Sequence, residues 1–545
     1  MNSKFCTFDP VTKIWSGRKR QQIYNTEANA GYLFLQKLIQ TPKNVFQISD
    51  DTGVELTCAD VYERSLKFAN FLTQMKLKQG DVVGLIASNS ENLVPVIFGC
   101  LVIGVAVNPL SIVMGVEDIE HMWSKTKPKV IFSDGKIVGT VKTAVDKMKL
   151  DATVFTLIDK VEGFQYVDEI LELDFDVDSY EFPDLPNISS TTAIISCSSG
   201  TTSSPKGICK SHKQLIAQSF LLWNQNIKEP AMLFNCVPSY WTLHMLFTVY
   251  SVLYSIPCVI TAKPLTPELW MDIVDRHKVT VVFSSPRFCS LLLKSKKIRK
   301  MNSMRAHILG GSVFTEKLLK DLEEYFPNGK SMVGYGITEA DAIAVPSEDE
   351  GIIGLSSGYP FIDVQIKIFN ENGAALGPNE IGEIYYKTAV PFSGYFGEPK
   401  KYAEAFDAFG FVKSGDAGYF DNYGHIYIKD RIKHMIKSIG SYKVTPTEIE
   451  SIINEIDGVI QSCVVGVFDE EVFYDKIHAF VIKDQARDDL TEEFIVNFVN
   501  GRVIEQKRIT GGVHFVDKFP MTPSGKVLNR ELIKMASLVT KSKLK

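Results

Sequence analysis

A loop rich in hydroxyl side chains offers the clearest chemistry in this sequence. It spans residues 198–207, where six of ten residues are serine or threonine, two are glycine, and Lys206 stands near the end. Glycine lets backbone N–H groups turn toward an anion, hydroxyls add donors, and lysine neutralises charge, so the segment predicts a polyphosphate-binding loop. It is not a Walker loop, because a glycine follows Lys206 and the glycine spacing differs. A serine-rich surface turn is the alternative.

Four segments further along the chain carry other reactive groups. Residues 334–339 combine an aromatic ring, a hydroxyl and a carboxylate, and residues 413–419 place one aspartate on a glycine-flanked turn. Residues 430–437 form a charged run, and residues 523–526 present a lysine on a tight loop. Each segment alone could be a turn, a solvated charge run or a surface lysine. Their occurrence together, in this order, predicts one functional site.

The elements beside the hydroxyl-rich loop follow from the neighbouring residues. Residues 191–197 form a short apolar run that is typical of a buried strand. Ser211 stands where a cap of the next helix is expected. We therefore expect the order strand, loop, helix at this site.

Length and composition indicate a large globular protein. The chain has 545 residues, enough for about three or four domain-sized units, and near-average apolar and charged contents. The formal charge of −5 gives no electrostatic case for nucleic acid. Nine cysteines are scattered without metal-ligand or disulfide spacing, which favours a reducing compartment.

The order of elements predicts an α/β fold in two parts. Residues 1–432 alternate apolar strand-like runs, such as 81–87, 129–133 and 279–284, with helical segments, as in parallel or mixed sheets covered by helices. After these residues the sequence pattern changes and predicts a compact α+β segment. We expect a large N-terminal domain over residues 1–432 and a small, mobile C-terminal domain over residues 433–545, joined near Lys433.

Two apolar stretches and the chain ends bear on location. Residues 93–107 and 245–262 are explained by buried helices and strands, so we expect no membrane span, and the N-terminus lacks the apolar run of a signal peptide. The final residues are Ser-Lys-Leu followed by Lys545. This ending predicts a peroxisomal location and an import receptor as partner, with a frayed basic tail and a cytoplasmic location as the alternative.

In the order and content of these five motifs, the chain resembles the adenylate-forming superfamily of acyl-CoA synthetases, 4-coumarate–CoA ligases and beetle luciferases. The resemblance runs from about residue 25 to residue 535 and is strongest to insect luciferase-like acyl-CoA synthetases. It implies that ATP activates a carboxylate as an acyl-AMP with release of pyrophosphate, after which the thiol of CoA displaces AMP.

The resemblance also implies roles for individual residues. Glu339 would bind Mg²⁺, Thr338 would contact phosphate, Arg431 would contact the nucleotide, and Lys526 would reach the α-phosphate and the reacting carboxylate. Asp416 would accept hydrogen bonds from the ribose hydroxyls. The remaining residues expected to hold ATP or CoA are Ser198, Ser199, Gly200, Thr201, Thr202, Lys206, Gly310, Gly311, Tyr335, Gly336, Lys437 and Gly440.

Three departures from the family pattern concern activity and substrate. Ser203 replaces a glycine of the phosphate loop, and the segment after the hinge, residues 437–444, is one residue longer than usual. Tyr240 and Trp241 stand where relatives carry one or two histidines, so with His244 they are expected to narrow or reshape an acyl pocket. Core packing of the two aromatic residues is the alternative.

The sequence as a whole favours an ATP- and Mg²⁺-dependent acyl-CoA synthetase for a medium- or long-chain fatty acid. A ligase for aromatic acids and a luciferase-like mono-oxygenase are the enzymatic alternatives. A degenerate member that binds nucleotide or acyl groups without turnover is the alternative of another class.

Overall fold

The computed structural model describes residues 4–19, 24–197, 206–218, 231–347, 353–522 and 526–543. The strands in these ranges are β1 Cys6–Asp9, β2 Ile14–Gly17, β3 Val45–Ser49, β4 Glu55–Thr57, β5 Val82–Ile86, β6 Ala106–Pro109, β7 Val130–Ser133, β8 Thr153–Thr156, β9 Gln165–Tyr166, β10 Thr192–Cys197, β11 Gly207–Ser211, β12 Leu233–Phe234, β13 Cys258–Ile260, β14 Val281–Ser284, β15 Ala306–Leu309, β16 Lys330–Val333, β17 Ala344–Val345, β18 Tyr359–Pro360, β19 Gln365–Phe369, β20 Gly382–Lys387, β21 Gly394–Tyr395, β22 Val412–Phe420, β23 Ile426–Arg431, β24 Ile436–Lys437, β25 Lys443–Val444, β26 Val459–Asp469, β27 Tyr474–Lys483 and β28 Gly512–Phe515. The helices are α1 Ala30–Gln40, α2 Cys58–Gln74, α3 Leu93–Val102, α4 Val116–Thr126, α5 Val138–Met148, α6 Val167–Leu171, α7 His212–Gln218, α8 Thr242–Tyr254, α9 Pro267–Arg276, α10 Pro286–Lys294, α11 Glu316–Glu323, α12 Pro399–Glu404, α13 Pro446–Ile453, α14 Glu492–Asn500 and α15 Asn529–Lys543.

Two large sheets with mostly parallel strands form the body of the N-terminal part. One has the order β21-β11-β10-β6-β5-β7-β8-β9, and the other has the order β16-β15-β14-β12-β13-β3-β4. The predicted strands at 81–87, 129–133 and 279–284 are β5, β7 and β14, each fully buried as expected for a parallel strand covered on both faces. The predicted α/β fold with parallel and mixed sheets is confirmed.

A third sheet is wholly antiparallel and has the order β1-β2-β19-β20-β22-β23. In β19 the buried Ile366 and Ile368 alternate with partly exposed residues. Sequence patterning did not indicate this sheet, because its strands come from both ends of the N-terminal part. It supplies β22 and β23, two of the elements that build the site.

The strand order around the hydroxyl-rich loop differs from the prediction. The apolar run before the loop is β10, but the residues after it form β11, which pairs antiparallel with β10 before α7 begins. The loop therefore joins two antiparallel strands and does not lead directly into a helix. Ser211 does cap α7, since its Oγ accepts the backbone N–H of Gln214 at 3.1 Å.

The apolar stretch at 93–107 forms the buried helix α3 followed by β6, and α8 and β13 account for the stretch at 245–262. In the part of the chain that the structure describes, no helix is both long and apolar enough to cross a membrane.

The C-terminal part is built on the three-stranded sheet β26-β27-β28 with α13, α14 and α15 packed on it. Its buried core includes Ile449, Val464, Ala479 and Ile495. The α+β segment predicted for this part is present, with α13 as its first helix and β26 and β27 as its first strands after β25. The exact boundary near residue 433 stays a prediction.

Candidate active site

Asp416 is the centre of a buried polar cluster. In the pairing of β22 with β23, Asp416 stands opposite Arg431, and the Nε of Arg431 lies 2.7 Å from Asp416 Oδ1. The hydroxyl of Tyr335, from the carboxyl end of β16, donates to Asp416 Oδ2 at 2.6 Å. The Asp416 backbone N–H donates to Ser414 Oγ at 3.0 Å. Three elements therefore fix the orientation of one carboxylate.

The electrostatics of this cluster follow from its burial. Burial raises the pKa of Asp416, and the nearby Arg431 charge opposes that rise. Burial and the Asp416 charge raise the pKa of Tyr335 well above its ordinary value, so its hydroxyl stays protonated as a donor. A carboxylate has about four acceptor positions, so Asp416 keeps capacity for further donors beside Tyr335 and Arg431.

Lys526 of the C-terminal part lies close to this cluster. A short turn holds it, because its backbone N–H donates to Thr522 Oγ1 at 3.0 Å and its carbonyl accepts the Thr522 N–H at 2.7 Å. Burial and the Arg431 charge lower the pKa of Lys526, while Asp416 and Glu339 raise it. Two residues predicted from motifs more than a hundred positions apart, Asp416 and Lys526, are thus brought together.

Glu339 lies on a tight loop after β16 that depends on Gly336. A Cβ at Gly336 would lie 1.8 Å from the carbonyl oxygen of Asp341, so only glycine permits this approach. The Tyr395 hydroxyl donates to Glu339 Oε1 at 3.0 Å, and Lys206 Nζ lies 4.6 Å from the centre of the Tyr395 ring. Glu339 and Lys206 thus share one aromatic neighbour.

Gly310 and Gly311 follow β15, beside the end of β16 where Tyr335 begins its loop. A side chain at Gly310 would crowd Phe283 at 3.3 Å, and Gly311 has a φ of +90°, which glycine adopts without strain. Thr338 is half-buried, next to Glu339. The carboxyl ends of two parallel strands therefore carry Gly310, Gly311 and Tyr335, the usual place for a ligand in an α/β sheet.

Other predicted residues lie elsewhere. Ser198, Ser199, Gly200, Thr201, Thr202 and Ser203 lie outside the described residues. Lys437 donates its backbone N–H to Asp475 Oδ2 at 2.8 Å within the C-terminal part, and Gly440 has a φ of +68° in the loop after it. Lys433, the predicted hinge, lies two residues after the end of β23, and burial lowers its pKa.

The predicted acyl-pocket residues lie around the start of α8. Trp241 and His244 line a cavity between α8, β6, β10 and β11, and Tyr240 packs edge-on against Trp241 with ring centres 6.5 Å apart. The space between the lining side chains is about that of one or two water molecules. Burial lowers the pKa of His244 to about 4, so its ring is neutral at neutral pH.

Three residues of this cavity were missed from the sequence. Lys210 Nζ and the Thr242 hydroxyl both donate to Asp341 Oδ1, forming a buried cluster in the cavity wall. The available signals were Lys210 as the one charged residue of β11 and Asp341 two positions after Glu339. Neither signal shows from the sequence that the two side chains meet.

The fit of the site to Mg²⁺ depends on Glu339. Among the described residues, no group of three or more histidine, cysteine or acidic side chains could hold a metal. Mg²⁺ commonly binds one or two carboxylates together with substrate phosphates, and Glu339, which shares Tyr395 as a neighbour with Lys206, suits that arrangement.

Comparison with known proteins identifies the family. The model described as "AMP-binding enzyme" matches residues 35–396, and the model of the C-terminal domain of the same enzymes matches residues 448–526. The chain belongs to the AMP-binding enzyme family. It is an adenylate-forming enzyme of the group that contains acyl- and aryl-CoA ligases.

Relatives and solved structures agree with this assignment. A probable 4-coumarate–CoA ligase of Dictyostelium discoideum is 25% identical, covering 92% of this chain and 94% of the relative. Luciferin 4-monooxygenase of Luciola mingrelica is 27% identical, covering 89% and 90%. ATP-bound MatB from Rhodopseudomonas palustris has the same fold, with a TM-score of 0.82, 23% identity, and coverage of 93% of this chain and 99% of that one.

Proposed function

We propose that this enzyme is an ATP-dependent acyl-CoA synthetase. A carboxylate oxygen of the acid attacks the α-phosphorus of ATP, the bond to pyrophosphate breaks, and acyl-AMP forms. The CoA sulfur then attacks the acyl carbonyl, and AMP leaves as the thioester forms. The observation that carries this proposal is that Lys526, a residue of the C-terminal part, lies within electrostatic range of Asp416, Arg431 and Glu339 of the N-terminal part.

The roles of the clustered residues follow from their chemistry. Asp416, oriented by Tyr335 and Arg431, accepts hydrogen bonds from the ribose hydroxyls. Arg431 lies partly exposed beside Asp416 and adds a cation at the nucleotide. The charge of Lys526 stabilises the negative charge that grows on the α-phosphate and the entering carboxylate.

The phosphates are assigned to the other side of the cluster. Lys206 and Thr338 contact the β- and γ-phosphates together with the loop at residues 198–202. Glu339 would hold Mg²⁺, which when bound would neutralise phosphate charge. Gly311, where an added Cβ would meet no atom within 4 Å, leaves room for the adenine beside the Tyr335 ring, and Gly310 and Gly336 shape the backbone on either side.

The second half-reaction requires a different set of groups at the same site. We assign Lys433 as the hinge about which the C-terminal domain turns, removing Lys526 and bringing the loop of Lys437 and Gly440 to the thiol of CoA.

The acid is proposed to carry an apolar acyl group, as a medium- or long-chain fatty acid does. The support is the lining of the cavity at α8, whose apolar members are Ile97, Val107, Pro109, Ile194, Leu215, Trp241, Met245 and Leu246. Because the cavity is narrow, a longer acyl chain requires these side chains to move apart.

The proposal is tested by acid-dependent exchange of labelled pyrophosphate into ATP with a broad acid panel, followed by AMP release with and without CoA. Pyrophosphate exchange in the presence of fatty acids, together with CoA-dependent release of AMP, supports the proposal. Exchange with aromatic acids alone would instead identify an aromatic-acid ligase, and no exchange with any acid would favour a binding protein. Light emission with D-luciferin and ATP would identify a mono-oxygenase.

Peroxisomal location remains a prediction from the ending Ser-Lys-Leu-Lys. Fluorescent fusions that keep or remove Lys545 test it, since import requires the tripeptide at the terminus.

A further inference from the structure

Three segments distant in sequence meet at one buried polar cluster. Lys210 comes from β11, Thr242 begins α8, and Asp341 lies on the loop that carries Glu339. The side chains of Lys210 and Asp341 are 2% and 0% exposed. Lys210 Nζ donates to Asp341 Oδ1 and to Thr242 Oγ1, and the Thr242 hydroxyl donates to the same Oδ1. Both donors of the cluster therefore share one acceptor, Asp341 Oδ1.

Fold stability does not account for this cluster. Burying an ion pair costs desolvation of both charges, and replacing such a pair by apolar residues of similar size is often neutral or stabilising. Ile208, on the same strand as Lys210, is an apolar residue buried in the core. An apolar residue at position 210 would therefore suit the surrounding core, so the ion pair calls for another explanation.

The second oxygen of Asp341 supplies that explanation. Asp341 Oδ2 is buried and accepts no hydrogen bond from any residue that the structure describes. A carboxylate is an acceptor only, and both protein donors occupy Oδ1, so Oδ2 retains its full capacity. Asp341 also has a φ of +62°, a backbone conformation that non-glycine residues adopt at a cost and that the close approach of Gly336 maintains.

The unsatisfied oxygen belongs to a residue that lines the cavity at α8. The walls of this cavity are otherwise mostly apolar, with polar side chains from Ser196, Ser239 and His244 besides the cluster itself. Asp341 stands two positions from Glu339, so the cavity and the proposed adenylation site share one loop. The wall of the cavity and the proposed Mg²⁺ ligand are therefore positioned by the same loop.

We propose that Asp341 Oδ2 accepts a hydrogen bond from a hydroxyl group on the acyl part of the substrate. The substrate class is then a hydroxylated apolar carboxylic acid, an assignment that rests on the proposed synthetase function. Lys210 neutralises the charge of Asp341, so the cluster suits a neutral hydroxyl donor better than an added ammonium group. Lys210 and Thr242 act as positioning residues that fix the carboxylate.

The first experiment uses the unaltered protein. AMP release is measured with decanoic acid and with hydroxydecanoic acids that carry the hydroxyl at successive positions along the chain. We expect one position, or two adjacent ones, to exceed decanoic acid in kcat/KM by at least about tenfold, because the acid without a hydroxyl leaves Asp341 Oδ2 unpaired. Turnover of decanoic acid within about twofold of every hydroxylated acid overturns the inference alone. Absence of AMP release with any acid overturns the synthetase proposal and the inference together.

Substitutions then test the residue. The double variant Lys210→Leu, Asp341→Ala removes both charges at once, and we expect the hydroxyl preference to fall below about threefold while decanoic acid gains. Met245→Leu, which changes shape in the same cavity without changing polarity, is the control and should keep the preference. A preference that survives the double substitution overturns the assignment to Asp341.

A milder variant covers the case in which the double variant does not fold. Asp341→Asn keeps the size of the side chain and leaves an amide oxygen for Lys210 and Thr242, so an N–H₂ donor takes the place of Oδ2. The wild-type carboxylate can pair with a hydroxyl but not with a ketone, whereas an N–H₂ group can donate to either oxygen. We therefore expect Asp341→Asn to remove most of the wild-type preference for the hydroxydecanoic acid over the oxodecanoic acid with its carbonyl at the same position. An unchanged preference contradicts the proposal.

Discussion

The hydroxyl of Tyr335 tests the central cluster most directly. Tyr335→Phe removes one oxygen atom and keeps the ring that is proposed to lie beside adenine. The lost contact is the 2.6 Å hydrogen bond to Asp416 Oδ2, between side chains of residues only 9% and 5% exposed. Asp416 Oδ1 keeps its contact with Arg431, whereas Oδ2 loses the Tyr335 donor, so the carboxylate is left partly unsatisfied.

The size of the effect follows from the charge and the burial. Hydrogen bonds to charged groups contribute about 1.5–3 kcal/mol, and because Arg431 still contacts the carboxylate, we expect a loss of about 1.5–2 kcal/mol. With an unfolding entropy of about 2.1 cal/mol/K per residue, a domain of roughly 430 residues converts that loss into a fall in Tm of about 2 °C. The KM for ATP should rise severalfold, because Asp416 is less firmly oriented toward the ribose.

The assay is the thermal transition of the N-terminal domain by calorimetry, together with pyrophosphate exchange at varied ATP. Tyr423→Phe is the matched control, since Tyr423 is 75% exposed and its variant should change neither quantity. A Tm within about 0.5 °C of the wild-type value, with an unchanged KM, would refute the view that Tyr335 holds Asp416 in place.

Three further outcomes are expected. Lys526→Ala should lower acid-dependent pyrophosphate exchange by about 10²–10³-fold and spare thioester formation from supplied acyl-AMP; equal losses in both assays would contradict its role. Lys294, on α10 of the N-terminal part, donates to the carbonyl oxygens of Val459 and Ile460 at the start of β26 of the C-terminal part, at 3.2 and 2.6 Å. Because Lys294→Met removes this contact between the two parts, it should slow pyrophosphate exchange severalfold without slowing thioester formation. Lys296→Met, at an exposed position of the same segment, should change neither rate. Burial raises the pKa of Glu450 from 4.5 to about 8, so the folded protein keeps a proton that the unfolded chain releases, and stability should fall as pH rises from about 4.5 to about 8. In Glu450→Gln the Tm should fall less between about pH 4.5 and about pH 8 than in the wild-type protein. The same dependence of Tm on pH in both proteins would count against the burial of this carboxyl.

Local sequence patterns were sufficient to predict the strands and the helix cap that depend on residues close together in the sequence. Mostly apolar runs predicted β5, β7 and β14, because a parallel strand that is covered on both faces buries side chains on both of them. The helix cap at Ser211 was predicted for the same reason, since a cap and its partner are three residues apart. The strand β11 was missed, because five residues with one lysine do not show whether they pair.

The sequence by itself determined the family and the reaction type, since phosphate, ribose and carboxylate chemistry requires particular residue types in short ordered motifs. Tertiary structure decided which of these side chains meet. Tyr335 reaches Asp416 across 81 positions, and Lys210 reaches Asp341 across 131. Such contacts depend on how sheets pack and not on any local pattern. The polar wall proposed to select the acid therefore became visible only when β11, α8 and the Glu339 loop were placed together.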